Sequence, residues 1–179
     1  LGAKAEKKYI VCNADEGDSG TYADRMLMEG DPFLLIEGMI IAGVTVGANK
    51  GYIYLRSEYP EAYAKLNLAI EAAKKEKFIG HNLLGSNKSF EIEVRLGAGA
   101  YICGEETSLL ESLEGKRGQI RSKPPLPAFE GLFGFPTAVN NVITLASIPI
   151  IITKGHEFYS SLGSRNSKGT LTIQLSGNI

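Results

Sequence analysis

Apolar and polar positions follow two rhythms along this chain, and the switches between them lay out an alternating series of strands and helices. Residues 8–12 form a short apolar run that reads as a buried strand and leads into the polar loop 13–20. Pro32 opens an apolar stretch of helix length that reaches about residue 47, and a proline suits a first helical turn. Residues 51–56 are a second strand candidate. Over 60–77, Ala62, Leu66, Ala69 and Ala73 recur at helical spacing, with lysines toward the end. Phe90, Ile92, Val94 and Leu96 then alternate with Glu91, Glu93 and Arg95, which predicts a strand with one wet face. Residues 104–113 read as a helix, 137–152 as another, apolar and interrupted near Pro149, and 170–176 as a last strand.

Strands alternating with helices argue for an α/β, Rossmann-like layered fold with a largely parallel sheet. In such folds ligands bind at the carboxyl ends of strands, where the polar loops 13–20 and 97–107 both fall. The Pro/Gly-rich stretch 115–136 is long for a simple connection, and loops of that length are often functional. The Ser/Gly/Asn loop 163–169 reads as a domain junction, which divides the chain into 1–162 and 163–179. Position 1 is Leu, and the chain closes inside a strand-like run, so a central part of a longer protein is expected.

Composition narrows the function classes. Lys plus Arg is 19 and Asp plus Glu is 20, a balance that lacks the basic excess of a nucleic-acid binder. The longest apolar stretch, 34–48, carries Glu37 and is short of a membrane span, so no direct membrane insertion is expected. The two cysteines, Cys12 and Cys103, lie far apart without CxxC spacing. Buried, reduced thiols in a cytoplasmic protein are expected, and no metal site is read from the chain.

Four clusters carry candidate chemistry. Asn13-Ala14-Asp15-Glu16-Gly17-Asp18 places three carboxylates and an amide directly after a strand. These accept hydrogen bonds from heterocycle N–H groups and ribose hydroxyls; a solvated loop or a hard-cation site are the rival readings. Gly97-Ala98-Gly99-Ala100 leads into Gly104-Glu105-Glu106, carboxylates that either complement a helix dipole or face a ligand. In Lys123-Pro124-Pro125 the prolines stiffen the segment that carries the lysine. Asn140-Asn141, read at a helix start, either cap the helix or bind phosphate there. His81 and His156 sit in no catalytic pattern and read as structural or exposed.

Taken in order, Asn13-Ala14-Asp15-Glu16, the run from Gly97 through Tyr101-Ile102-Cys103-Gly104-Glu105-Glu106-Thr107, Leu113-Glu114-Gly115, Lys123-Pro124-Pro125 and Asn140-Asn141-Val142 resemble one family. It is the FMN-binding NADH dehydrogenase flavoprotein subunit of respiratory complex I, whose module recurs in NAD-reducing hydrogenases and NAD-dependent formate dehydrogenases. The resemblance implies FMN and NAD as cofactors, hydride transfer from NADH, and single electrons passed to iron–sulfur partner subunits. It implies that Asn13, Asp15 and Glu16 line the isoalloxazine and that Tyr101, Gly104 and Glu105 hold the flavin from the other loop. Asn140 and Asn141 would reach its phosphate. Glu16, Asp18, Glu106 and Lys123 would meet NADH, with Glu16 the catalytic candidate.

The resemblance also implies a glycine-rich FMN loop upstream, and downstream a small β-rich domain followed by the ligands of a 4Fe-4S cluster. Asp18 is shorter than the Glu common in the family, and Leu126 stands where some members carry an aromatic. Asp18-Ser19-Gly20-Thr21-Tyr22 and 51–60 look more like the formate dehydrogenase and hydrogenase diaphorase branch than like complex I itself; a formate dehydrogenase beta subunit is the favoured reading, with complex I, a hydrogenase diaphorase or a flavin-free subunit as alternatives.

Overall fold

The computed structural model describes residues 3–178. Its centre is a parallel sheet of β1 (Tyr9–Ala14), β2 (Lys50–Leu55), β3 (Glu91–Leu96) and β4 (Thr137–Asn141), in the order β3-β2-β1-β4. The chain builds outward from β1 through β2 to β3, then returns to the far side of β1 for β4. The order therefore reverses between β1 and β4, and this switch point opens a crevice at their carboxyl ends. The register sets Asn13 of β1 opposite Asn141 of β4 and Tyr54 of β2.

Both faces of the sheet are covered. Ile10, Cys12 and Ala14 of β1, with Ile53 and Leu55 of β2, point to one side. There they meet Met28 of α1 (Ala23–Gly30), Leu35 and Met39 of α2 (Pro32–Val46), Leu66 of α3 (Pro60–Lys75) and Leu145 of α5 (Val142–Lys154). Val11 and Tyr54 point the other way, onto Leu109 and Leu110 of α4 (Glu106–Leu113) and onto Leu132. This is period-two alternation with both sides dry, and each such side chain contributes roughly 1.5–3 kcal/mol. Both cysteines are buried and unpaired, as their sequence context predicts.

Pro32 takes the first turn of α2, and Gly47 closes that helix in a left-handed conformation. Pro149 does not interrupt α5, which runs through it. A proline has no N–H for the carbonyl four residues back, here Leu145. The backbone of Gly38 in α2 lies so close to this same carbonyl that a Cβ there would fall on it. The two helices thus cross where α5 lacks the usual i+4 N–H donor and α2 has no side chain.

The expected helix over 137–152 is instead strand β4 followed by α5. Periodicity cannot separate a short apolar strand from the start of a buried helix. The pairing of Thr137 through Asn141 with β1 decides the matter, and Asn141 caps α5 by accepting from Ile143 N at 2.8 Å. α1 and α6 (His156–Ser161) had no signal in the pattern. α1 is a short segment of mixed composition and buries only Asp24 and Met28. Residues 170–176, expected as a strand, have no strand pairing among the described residues. This tail lies beside the loop after β1, where Tyr22 N donates to Gln174 Oε1 at 3.0 Å. Among the described residues, no helix is long and apolar enough to cross a membrane.

Candidate functional site

The two polar loops meet at the switch point. Asn13, near the end of β1, donates from Nδ2 to the carbonyl of Gly104 at 2.8 Å and accepts from Asp15 N at 3.2 Å. Gly104 ends the 3-10 turn Tyr101–Gly104 that precedes α4. The crevice beside this contact has a volume of about 510 Å³ and is lined by Asn13, Asp15, Glu16, Asp18, Gly104 and Asn141, among others. Its size suits a cofactor, for which pockets of about 300–1,000 Å³ are usual. Burial pushes the Asp15 carboxyl above its ordinary range, opposed by Arg56 and reinforced by Glu58.

Glu16 sits in the crevice wall and is only 8% exposed. Oε1 accepts from Asp24 N at 2.9 Å, and Oε2 accepts from Arg25 N at 3.2 Å and from the Tyr59 hydroxyl at 3.1 Å. The carboxylate thus caps α1, where a negative charge also complements the helix dipole. Burial, together with Glu16, pushes the Tyr59 phenol up to about 12. The guanidinium of Arg56 donates to the Glu16 carbonyl and pairs with Glu58 at 3.3 Å. The residue expected to be catalytic therefore has both of its oxygens engaged in local structure.

Asp24 escaped the sequence reading. It is 5% exposed, and its Oδ2 accepts from Asn141 Nδ2 at 2.7 Å across 117 positions of chain. Burial pushes its carboxyl up to about 6, against the Asn141 hydrogen bond and with help from the Glu16 charge. An Asp in a polar stretch looks like a solvated helix start, and only the distant partner reveals it.

The second loop supplies another cluster. The Tyr101 hydroxyl donates to Asp18 Oδ1 at 3.0 Å. Glu105 caps α4 by accepting from Thr107 N at 2.9 Å, Ser108 N at 3.0 Å and Thr107 Oγ1 at 2.5 Å. Burial acts to raise the Glu105 carboxyl, but hydrogen bonds from Thr107, Ser108 and Lys123 outweigh it and hold the group below its usual range. Lys123 Nζ stands 2.5 Å from Glu106 Oε1 and 3.4 Å from Glu105 Oε1.

Arg121, also unforeseen, fixes the loop that carries Lys123. It pairs with Glu111 at 2.5 Å and Glu114 at 2.8 Å, donates to the Gly131 carbonyl at 2.9 Å, and its N–H reaches Thr107 Oγ1 at 2.9 Å. An arginine in a Pro/Gly-rich loop, whose glutamate partners lie in α4 and at its C-terminal end, gave no spacing signal. Of the eleven residues expected at the site, the crevice gathers Asn13, Asp15, Glu16, Asp18, Gly104 and Asn141. Tyr101 joins them through Asp18, while Glu105, Glu106 and Lys123 form a cluster of their own at the start of α4. Asn140 is exposed and lies outside the crevice lining. No group of side chains suited to a metal occurs among the described residues.

Residues 1–150 match the family model described as the Nuo51 FMN-binding domain. The chain belongs to this family. It is 54% identical over 172 residues to an NADH-quinone oxidoreductase subunit of Aquifex aeolicus, covering 96% of this chain and 40% of that one. It is 49% identical over 179 residues to the HndC subunit of the NADP-reducing hydrogenase of Solidesulfovibrio fructosivorans, covering 100% of this chain and 36% of that one. The chain thus spans about two-fifths of the length of these relatives. A crystal structure of NAD+-reducing [NiFe]-hydrogenase in the air-oxidized state superposes with a TM-score of 0.83 at 41% identity, over 94% of this chain and 28% of that one. The family's cofactor is FMN, and the amide- and carboxylate-lined crevice at the switch point has the donors, acceptors and volume to take it.

Proposed function

We propose that the switch-point crevice holds FMN, and that the protein to which this domain belongs oxidises NADH and passes electrons singly to iron–sulfur partner subunits. The observation that supports this best is the convergence of Asn13, Asp15, Gly104 and Asn141 on one crevice of cofactor size in a Nuo51-type domain. FMN, when bound, supplies the conversion of a two-electron donor into one-electron transfers.

The chain's own residues position and shield. Asn13 and Asp15 offer an amide and a carboxylate for the edge of a heterocycle, braced by the Asn13–Gly104 contact. Asn141, with Asn140 beside it, stands at the N-terminus of α5, where backbone N–H groups favour a phosphate. Tyr101 and Glu105 support the flavin from the second loop. Asp18, Glu106 and Lys123 serve the dinucleotide, Asp18 through ribose hydroxyls and Lys123 through phosphates. Glu16 acts from the capped end of α1, holding that helix against the crevice and keeping a negative charge beside the reacting ring.

The named relatives favour a complex I or NAD-reducing hydrogenase setting. A formate dehydrogenase setting has no specific support among them, and the complex I or hydrogenase reading fits as well or better. The test is the flavin content of the purified full-length subunit, measured after denaturation, together with NADH:ferricyanide activity. About one FMN per subunit and activity lost in Asn13→Ala are expected. A colourless, inactive subunit would leave the flavin-free alternative standing.

A further inference from the structure

Asp24 is a buried carboxylate in the wall of the crevice. Its backbone N–H is held by Glu16 Oε1 at 2.9 Å, and its side chain accepts from Asn141 Nδ2 at 2.7 Å. Asn141 itself is exposed, at the joint between β4 and α5, and its Oδ1 accepts from Ile143 N at 2.8 Å. A side-chain amide has one carbonyl acceptor and two N–H donors. Here the carbonyl is taken by the helix and one N–H by Asp24, so both ends of the amide plane are fixed. The second N–H of that group is not engaged among the described residues.

An exposed asparagine is otherwise free to turn about its last torsion, which has a broad, roughly two-fold profile. Ordering such a side chain when a ligand arrives weakens binding, and a side chain ordered beforehand avoids that loss. The NH₂ group can serve two acceptors at once, one hydrogen to each.

We propose that Asp24 is a positioning residue: its buried carboxylate fixes the Asn141 amide so that the free N–H is held ready for the phosphate of the flavin. This rests on the reading of Asn141 as a phosphate ligand. The carboxylate need not touch the flavin, and it acts across the crevice by joining the start of α1 to the start of α5. Glu16 completes the arrangement by holding the Asp24 backbone.

The test compares FMN with riboflavin, which has no phosphate, on the apo form of the full-length subunit. Asp24→Ala is expected to weaken FMN binding about tenfold and riboflavin binding little, as for loss of one hydrogen bond. Asp24→Asn keeps a carbonyl oxygen for Asn141 and is expected to stay near wild type. Asn141→Ala is expected to lower the FMN/riboflavin affinity ratio as Asp24→Ala does. Because the ratio is taken within each variant, partial destabilisation does not obscure it. Where Asp24→Ala fails to fold, Asp24→Leu fills the space and gives the same comparison. If Asn141→Ala lowers the ratio and Asp24→Ala does not, the positioning role is overturned while the phosphate reading stands. Equal losses for FMN and riboflavin in Asp24→Ala would mark a purely structural residue and also overturn it. An unchanged ratio in Asn141→Ala would remove the phosphate reading, and the proposal with it.

Discussion

Tyr101 donates its hydroxyl to Asp18 Oδ1 at 3.0 Å, and its ring lies so close to Gly17 that a Cβ there would stand 3.0 Å from Cδ2. The loop after β3 is thereby laid on the loop after β1, and the absence of a side chain at Gly17 permits it.

Gly17→Ala is therefore expected to displace the Tyr101 ring without disturbing the crevice floor. The KM for NADH should rise by roughly three- to tenfold, since misplacing a substrate-orienting group by a fraction of an ångström has effects of that order. Because Tyr101 is read as a flavin support and Asp18 as a dinucleotide contact, FMN should also be held less tightly. Steady-state kinetics with ferricyanide and flavin quantitation check both, and an unchanged KM together with an unchanged flavin content would contradict a role for this contact at the site.

A preference for NADH over NADPH is expected from the proposed placement of Asp18 and Glu106 by the dinucleotide, and it should rest mainly on Asp18. Glu106 is neutralised by Lys123 at 2.5 Å, whereas Asp18 is bonded to a neutral phenol. An ionised Asp18 near a 2′-phosphate repels it by about 1–4 kcal/mol before screening. Asp18→Asn should narrow the kcat/KM ratio between the two dinucleotides, and Glu106→Gln should narrow it less. Equal use of NADPH by the wild type would refute the charge argument.

Glu16→Gln is expected to slow NADH oxidation with FMN retained, and also to lower stability. Glu16 accepts from two backbone N–H groups and the Tyr59 hydroxyl. A glutamine replaces one acceptor oxygen with a donor, which leaves a buried mismatch costing about 1–3 kcal/mol and lowers Tm by roughly 2–8 °C. Slower turnover with an unchanged Tm would mean that the carboxylate is not the cap of α1.

Asp24 makes stability depend on pH. Its folded-state value, about 6, lies above the ordinary 3.8, so the folded protein holds this proton more tightly than the unfolded chain does. The stabilisation is complete below about pH 4 and is lost as pH rises through about 6. Asp24→Asn stays neutral throughout and should exceed the wild type by about 1–3 kcal/mol near pH 7.5. The gap should close as pH falls from about 6 to about 4. Denaturant melts across that range check it, and a constant gap would show that Asp24 does not titrate there.

The sheet was legible in the sequence because β1, β2 and β3 carry long apolar or alternating runs between clear loops. β4 was not, because Thr137-Ala138-Val139 takes its identity from the strand it pairs with, far away in the chain. α1 was hidden because it is short and of mixed composition, and its placement rests on the Asp24–Asn141 and Glu16 contacts, with Met28 in the core, that only the folded chain creates. The site motifs stood out as runs of amides and carboxylates after strands. What they could not reveal was division of labour: Glu16 and Glu105 cap helices, and Arg121 holds the loop that carries Lys123.

Anaerobic titration of the FMN-loaded, full-length subunit with NADH, followed at the visible flavin band, bears most directly on the assignment of this crevice. Stoichiometric bleaching is expected in the wild type, together with loss of bound flavin in the Asn13→Ala and Asn141→Ala variants. A flavin that stays oxidised with excess NADH, or one retained undiminished in both variants, would contradict it.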